Sequence, residues 1–192
     1  VTPYISTRFG DRADSLDRLV DVMATQYTAR PGNYLAFFSS FDYLQQALQR
    51  LQLRHAAVPV WAQSRGMGEP EREAFVARFT EDSQGIGFAV LGGAFGEGID
   101  LPGRRLIGAF IATLGLPQVN AVNERLRARL QARFGRGYDY AYLFPGLQKV
   151  VQAAGRVIRG PDDEGVVVLM DERFAHAEVR RLLPSWWRIE RT

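Results

Sequence analysis

Apolar runs of strand length alternate along this chain with segments of helical period, and that alternation restricts the architecture more than any other feature. The runs are "NYLAFF" (33–38), "AVPVWA" (57–62), "IGFAVL" (86–91), "RLIGAFIA" (105–112) and "GVVVLMD" (165–171). Between them, residues 10 to 30 place Leu16, Leu19, Val20, Met23 and Tyr27 at helical spacing and stop at Arg30-Pro31-Gly32. "SSFDYLQQALQRL" (39–51) reads as a helix with Ser39 and Asp42 at capping-box spacing, and 69–82 as a helix with proline near its start. Further helices are expected from about Ala121 to Phe134, after Pro145 as far as Arg159, and over 172–183. Strands alternating with helices imply an α/β domain whose mainly parallel sheet is covered on both faces.

The 192 residues suit one domain, and a hydrophobic share of 46% suits a packed core. No apolar run approaches the ~18–20 residues needed to span a bilayer, and no secretory pattern opens the chain, so it reads as soluble, cytoplasmic and without a membrane partner. With no cysteine there is no disulfide frame and no thiolate or iron–sulfur site in these residues. His55 and His176 stand apart, which argues against zinc. The formal charge is +3, and Lys149 is the sole lysine among 24 basic residues.

In doubly wound sheets ligands gather beyond the carboxyl ends of the strands, which here are "SSFD", "GGAFGEGID", "ATLGLPQ" and "DERF". "LGGAFGEGIDLPG" (91–103) carries five glycines, suited to bringing backbone N–H groups against a phosphate. It is not a dinucleotide fingerprint, because Leu101 occupies the third glycine site counted from Gly96 and Gly98. Glu97 and Asp100 supply acceptors for a ribose hydroxyl or an arginine, or else cap turns. "VVVLMDE" imitates a Walker B strand, but Lys149 follows Gln148, so no Walker A loop exists in these residues, and Asp171 is expected to pair with Arg173 or a nearby arginine. In "QAAGRVIR", Gln152, Arg156 and Arg159 stand at i, i+4 and i+7, one face of a helix, and two arginines so placed suit a triphosphate. Residues 121–134 set Val122, Leu126, Leu130 and Phe134 in a stripe beside Arg125, Arg129, Arg133 and Arg136, either a solvated face or a nucleic-acid contact.

Taken together, "NYLAFFSSFDYL", "GGAFGEGIDLPGRRLIGAFIATLGLPQVN" and "YDYAYLFPGLQKVVQAAGRVIRGPDDEGVVVLMDERF" resemble motifs IV, V and VI of the second motor domain of superfamily-two DNA helicases of the XPD/DinG type, in that order and over essentially the whole chain. The resemblance implies a single RecA-like, three-layer α/β/α domain forming half of an ATP site, with the phosphate loop and Mg2+ carboxylate on a first RecA-like domain elsewhere in the parent chain. It implies Arg159 as the finger on the γ-phosphate, Arg156 supporting it and Gln152 orienting the network. Glu97, Gly98 and Asp100 would serve the nucleotide or link motif V to motif VI. Ser39, Ser40 and Gly93 would contact the backbone of single-stranded DNA, without base specificity. Any iron–sulfur cluster of the family lies on the first motor domain, and 5′-to-3′ polarity and a DNA-repair setting come with the resemblance alone. Two other readings stand beside it: a nucleic-acid-binding module without ATPase activity, and an unrelated nucleotide-binding α/β domain.

Overall fold

The computed structural model describes residues 1–93, 95, 99–157 and 164–190. Helix α1 (Arg12–Ala29) leads into strand β1 (Asn33–Phe38), followed by α2 (Phe41–Arg54), β2 (Val60–Ala62), α3 (Glu69–Ala77), β3 (Gly85–Val90), β4 (Gly108–Ala112), α4 (Ala121–Phe134), a π-helical turn (Asp139–Leu143), α5 (Phe144–Ala154), β5 (Val166–Leu169), a 3-10 turn (Glu172–Ala175) and α6 (Ala177–Arg180). The five strands form one parallel sheet in the order β2-β3-β1-β4-β5. β1 is the central strand, and all six of its residues are buried, as a strand covered on both faces requires.

Alternation along the strands sorts the core into two layers. Tyr34, Ala36, Phe38, Ile86, Phe88 and Phe110 face α1 and α2, which contribute Leu19, Val20, Met23, Leu44 and Leu51. Leu35, Phe37, Ala89, Ala109 and Ile111 face the other side, against Phe75 of α3 and Leu147, Val150 and Ala153 of α5. Large rings fill both layers: Phe38 stacks on Phe88 at 5.3 Å between centroids, and Trp61 meets Phe79 edge-on at 4.8 Å.

The connection from β3 to β4 crosses the sheet past β1, and among its described residues the only regular element is a 3-10 turn (Gly103–Arg105). Phe95, Ile99, Leu101 and Leu106 are buried from this crossover into the α3/α5 layer, so the glycine-rich segment takes part of the covering role that a helix has elsewhere. Phe95 packs on Phe75 with 4.3 Å between ring centroids.

Three details depart from the sequence reading. The cap of α2 is Ser40 rather than Ser39: Ser40 is extended, and its Oγ accepts the Tyr43 N–H at 3.2 Å, while Asp42 is turned to Arg65 at 2.6 Å. The helix expected to run to Arg159 ends at Ala154, and Arg156 and Val157 follow in tight turns with N–H groups donating to Ala153 and Ala154 carbonyls. Gln152 and Arg156 therefore do not share one continuous helical face. The closing helix over 172–183 is instead a 3-10 turn and one short helix, because His176 is extended between them.

Candidate nucleotide and nucleic-acid faces

At the carboxyl edge of the sheet, β1 ends in exposed Ser39 and half-buried Ser40. With the Ser40 carbonyl accepting the Leu44 N–H and its hydroxyl the Tyr43 N–H, the Phe41 and Asp42 amides have no intrahelical acceptor at the positive end of the α2 dipole. The Leu91 N–H continues the ladder by donating to the Phe38 carbonyl at 2.9 Å, which brings Gly92 and Gly93 beside Ser39 and Ser40. Gly93, more than fifty positions beyond Ser39 and Ser40 in sequence, thus shares one edge with them.

Two residues that no motif marks complete this edge. Gln63, buried just beyond β2, accepts the Val90 N–H on its Oε1 at 2.9 Å and so fixes where the glycine loop departs. Arg65 lies over the Phe41 ring at 5.2 Å while bound to Asp42, placing a guanidinium at the mouth of α2. The only available signal was position, since both follow a strand. Lys149 of α5 reaches the same loop, where a Cβ added to Gly92 would stand 3.4 Å from its Nζ.

Arg156 belongs to a different place. Just after it, Val157 packs against Gly165, at the amino ends of β4 and β5, and the Arg156 Nη1 donates to the Ile99 carbonyl at 3.2 Å. The arginine turn after α5 and the glycine-rich crossover are therefore joined through Ile99, with Asp100 exposed next to that contact. Asp100 and Ile99 line a shallow groove against Glu69, Arg72, Glu73 and Val76 of α3. Gln152 is exposed on α5. Arg159, Glu97 and Gly98 lie outside the described residues.

The acids after β5 are structural. Asp171 is fully buried and accepts the Thr7 N–H at 3.1 Å, the Thr7 hydroxyl, and the N–H, Nε and Nη2 groups of Arg173 at 2.7–2.9 Å. Burial raises the carboxyl's pKa, but the Arg173 hydrogen bonds and charge, with the Thr7 hydroxyl, outweigh it and hold the group below the ordinary aspartate range. Glu172 pairs with Arg8 at 3.2 Å. Together they fasten the first eleven residues to the end of β5. Among the described residues, no group of three or more His, Asp or Glu side chains is placed to hold a metal ion, and no helix is long and apolar enough to cross a membrane.

Residues 23–190 match the family model for the helicase C-terminal domain. The chain belongs to the helicase C-terminal domain family. It is 32% identical over 203 residues to the regulator of telomere elongation helicase 1 of Bos taurus, covering 94% of this chain and 16% of that protein. It is 29% identical over 183 residues to the ATP-dependent helicase DinG of Mycobacterium tuberculosis H37Rv, covering 92% of this chain and 26% of that protein. The chain thus spans about a quarter or less of these relatives. Its fold matches the solved structure designated XPD_APO with a TM-score of 0.79 at 19% identity, over 98% of this chain and 38% of that one. The parallel sheet with helices on both faces is that of RecA-like helicase domains, and the chain is a helicase C-terminal domain of the XPD/DinG type.

Proposed function

We propose that this helicase C-terminal domain is the second motor half of an ATP-dependent DNA helicase, a single domain over its 192 residues that works in the cytoplasm and shares an ATP site with a first RecA-like domain of the parent protein. The observation that carries the proposal is the Arg156–Ile99 contact. It ties the arginine segment to one part of a crossover whose other end, Gly92 and Gly93, stands beside Ser39 and Ser40. A shift of Arg156 toward a phosphate is thereby coupled, through a crossover whose Phe95 and Ile99 are buried in the core, to the edge suited to a nucleic-acid backbone.

In this reading ATP with Mg2+ supplies the phosphoryl group that passes to water. This chain contributes guanidinium and backbone donors, which fit phosphate oxygens rather than a cation, so the carboxylates for Mg2+ belong to the first motor domain. Arg159 neutralises charge developing on the γ-phosphate, Arg156 supports it from its seat on the Ile99 carbonyl, and Gln152 orients the pair. Asp100, Glu97 and Gly98 serve the nucleotide or link motif V to motif VI. Ser39, Ser40 and Gly93, with the first amides of α2, contact phosphates of single-stranded DNA. Translocation from 5′ to 3′ is taken over from the XPD/DinG resemblance, and any iron–sulfur cluster would sit on the first motor domain.

The test is ATP turnover. In the parent protein Arg159→Ala and Arg156→Ala should each lower DNA-stimulated hydrolysis at least tenfold while nucleotide binding is mostly kept, as expected for groups acting in the transition state. The isolated chain should show no turnover. Robust hydrolysis by the chain alone, or unchanged rates in both variants, would refute the shared-site reading.

A further inference from the structure

Between β4 and α5 the chain leaves the sandwich. No residue of α4 is buried, and α4 is held chiefly by the π-helical turn that follows it: the Tyr142 hydroxyl donates to Glu124 at 2.7 Å, and the Gly137 N–H donates to the Gln131 Oε1 at 2.8 Å. This arm departs from the carboxyl edge, since Gly115 on the way to it packs against Leu91 and Gly146.

Its surface pairs an exposed apolar row, Val122, Leu126 and Phe134, with a neighbouring row of arginines. Residues 121–140 hold five arginines against two acids, an excess equal to the formal +3 of the whole chain. Glu124 and Asp139 are taken by Arg127 and Arg136 at 2.7 and 2.8 Å. Arg125, Arg129 and Arg133 have no ion pair among the described residues and follow one another at four-residue steps, about 6 Å apart along a helix. Like charges at that spacing repel, and a row of anions relieves the repulsion. At the end of the row the rings of Phe134, Tyr138 and Tyr140 are 51%, 48% and 42% exposed. Phe134 and Tyr140 lie 5.4 Å apart, and Arg133 stands 5.2 Å over Phe134.

We infer that the α4 arm is a second single-stranded nucleic-acid contact, in which Arg125, Arg129 and Arg133 take successive backbone phosphates and the Phe134, Tyr138 and Tyr140 rings stack with unpaired bases. An excess of three positive charges in twenty residues, with both acids already paired, matches a polyanion rather than a protein surface of mixed charge. A duplex would use the arginines but offer no free base faces to three exposed rings. The arm extends the track begun at Ser39, Ser40 and Gly93 and rests on the motor reading for the identity of the strand.

The experiment is equilibrium binding of the full-length parent protein to a fluorescent oligo-dT and to a duplex of equal length, across a series of salt concentrations. The variant R125Q/R129Q/R133Q should bind the single strand at least tenfold more weakly, with the slope of log affinity against log salt reduced by about 2, at roughly 0.7 per lost phosphate contact. R125K/R129K/R133K should restore most of the slope. F134A/Y140A should weaken single-strand binding about tenfold and leave the slope unchanged, as loss of stacking requires. Unchanged affinity and slope in the glutamine variant overturn the proposal, as does a loss confined to the duplex. A parent that binds no single strand refutes the motor reading and this extension with it. Weakened binding in S40A, with the arm variants binding as wild type, refutes this extension alone.

Discussion

Replacing Asp171 by alanine tests what the acidic end of β5 is for. The carboxylate is fully buried and is the acceptor for Thr7 and for three nitrogen donors of Arg173, whose side chain is only 17% exposed. Alanine would leave the guanidinium buried without its counter-charge and the Thr7 amide without its acceptor. Removing one partner of a buried ion pair costs about 3–5 kcal/mol. Against a total of roughly 5–15 kcal/mol for a domain, that is about a fifth or more of the stability. In equilibrium urea unfolding at pH 7 the midpoint should fall by roughly 1–5 M, given a slope of about 1–3 kcal/mol per molar. The pH dependence has a definite sign. Because the folded-state pKa of Asp171 lies below its unfolded value of about 3.9, its contribution is complete above that value and is lost as the pH falls through the folded one. The gap between wild type and Asp171→Ala should therefore be constant above about pH 5 and shrink on acidification below about pH 4. Asp171→Ala/Arg173→Ala should be less destabilised than the sum of the single variants, since the second change removes the stranded charge. A single-variant cost below about 1 kcal/mol, or a gap that does not change with pH, would show that the network does not hold the first residues to the sheet.

Two further outcomes test the carboxyl edge. Ser40→Ala should cost about 0.5–2 kcal/mol and Ser40→Gly only a few tenths, measured by thermal unfolding, because the hydroxyl satisfies the Tyr43 amide at the start of α2; equal costs for Ser39→Ala would contradict Ser40 as the cap. Gly115 and Gly135 both have left-handed backbone, at φ 72° and 71°, but a Cβ at Gly115 would lie 2.6 Å from the Gly146 carbonyl oxygen while one at Gly135 meets nothing within 4 Å. Gly135→Ala should cost about 1–2 kcal/mol for backbone conformation alone and Gly115→Ala clearly more, and equal melting temperatures would refute the close approach of the α4 approach loop to α5.

Local pattern carried much of the fold. "NYLAFF" is β1 residue for residue, and the helix expected from about Ala121 to Phe134 is α4. Both stand out because their periodicity is undisturbed and turn formers bound them. The reading weakened where tertiary contacts override propensity. The apparent continuation of α5 toward Arg159 breaks at Gly155, where Arg156 reaches across to Ile99. The shift of the α2 cap from Ser39 to Ser40 depends on where the β1 ladder ends, which the partner strand decides. Gln63 and Arg65 lay beyond motif reading because their roles come from β3 and α2, neighbours distant in sequence.

The sequence by itself determined the class of fold, a parallel sheet under two helical layers, and the candidate arginines, glycines and serines, because periodicity and residue chemistry are local properties. Only the tertiary structure decided that the strands run in the order β2-β3-β1-β4-β5, so that Ser39, Ser40 and Gly93 meet at one edge while Arg156 anchors to the crossover elsewhere. It also decided that Asp171 faces Arg173 and Thr7, and that the arginines of α4 stand outside the sandwich. Strand order, burial and the approach of distant groups follow from which apolar faces pack together, and that is a property of the whole chain rather than of any stretch of it.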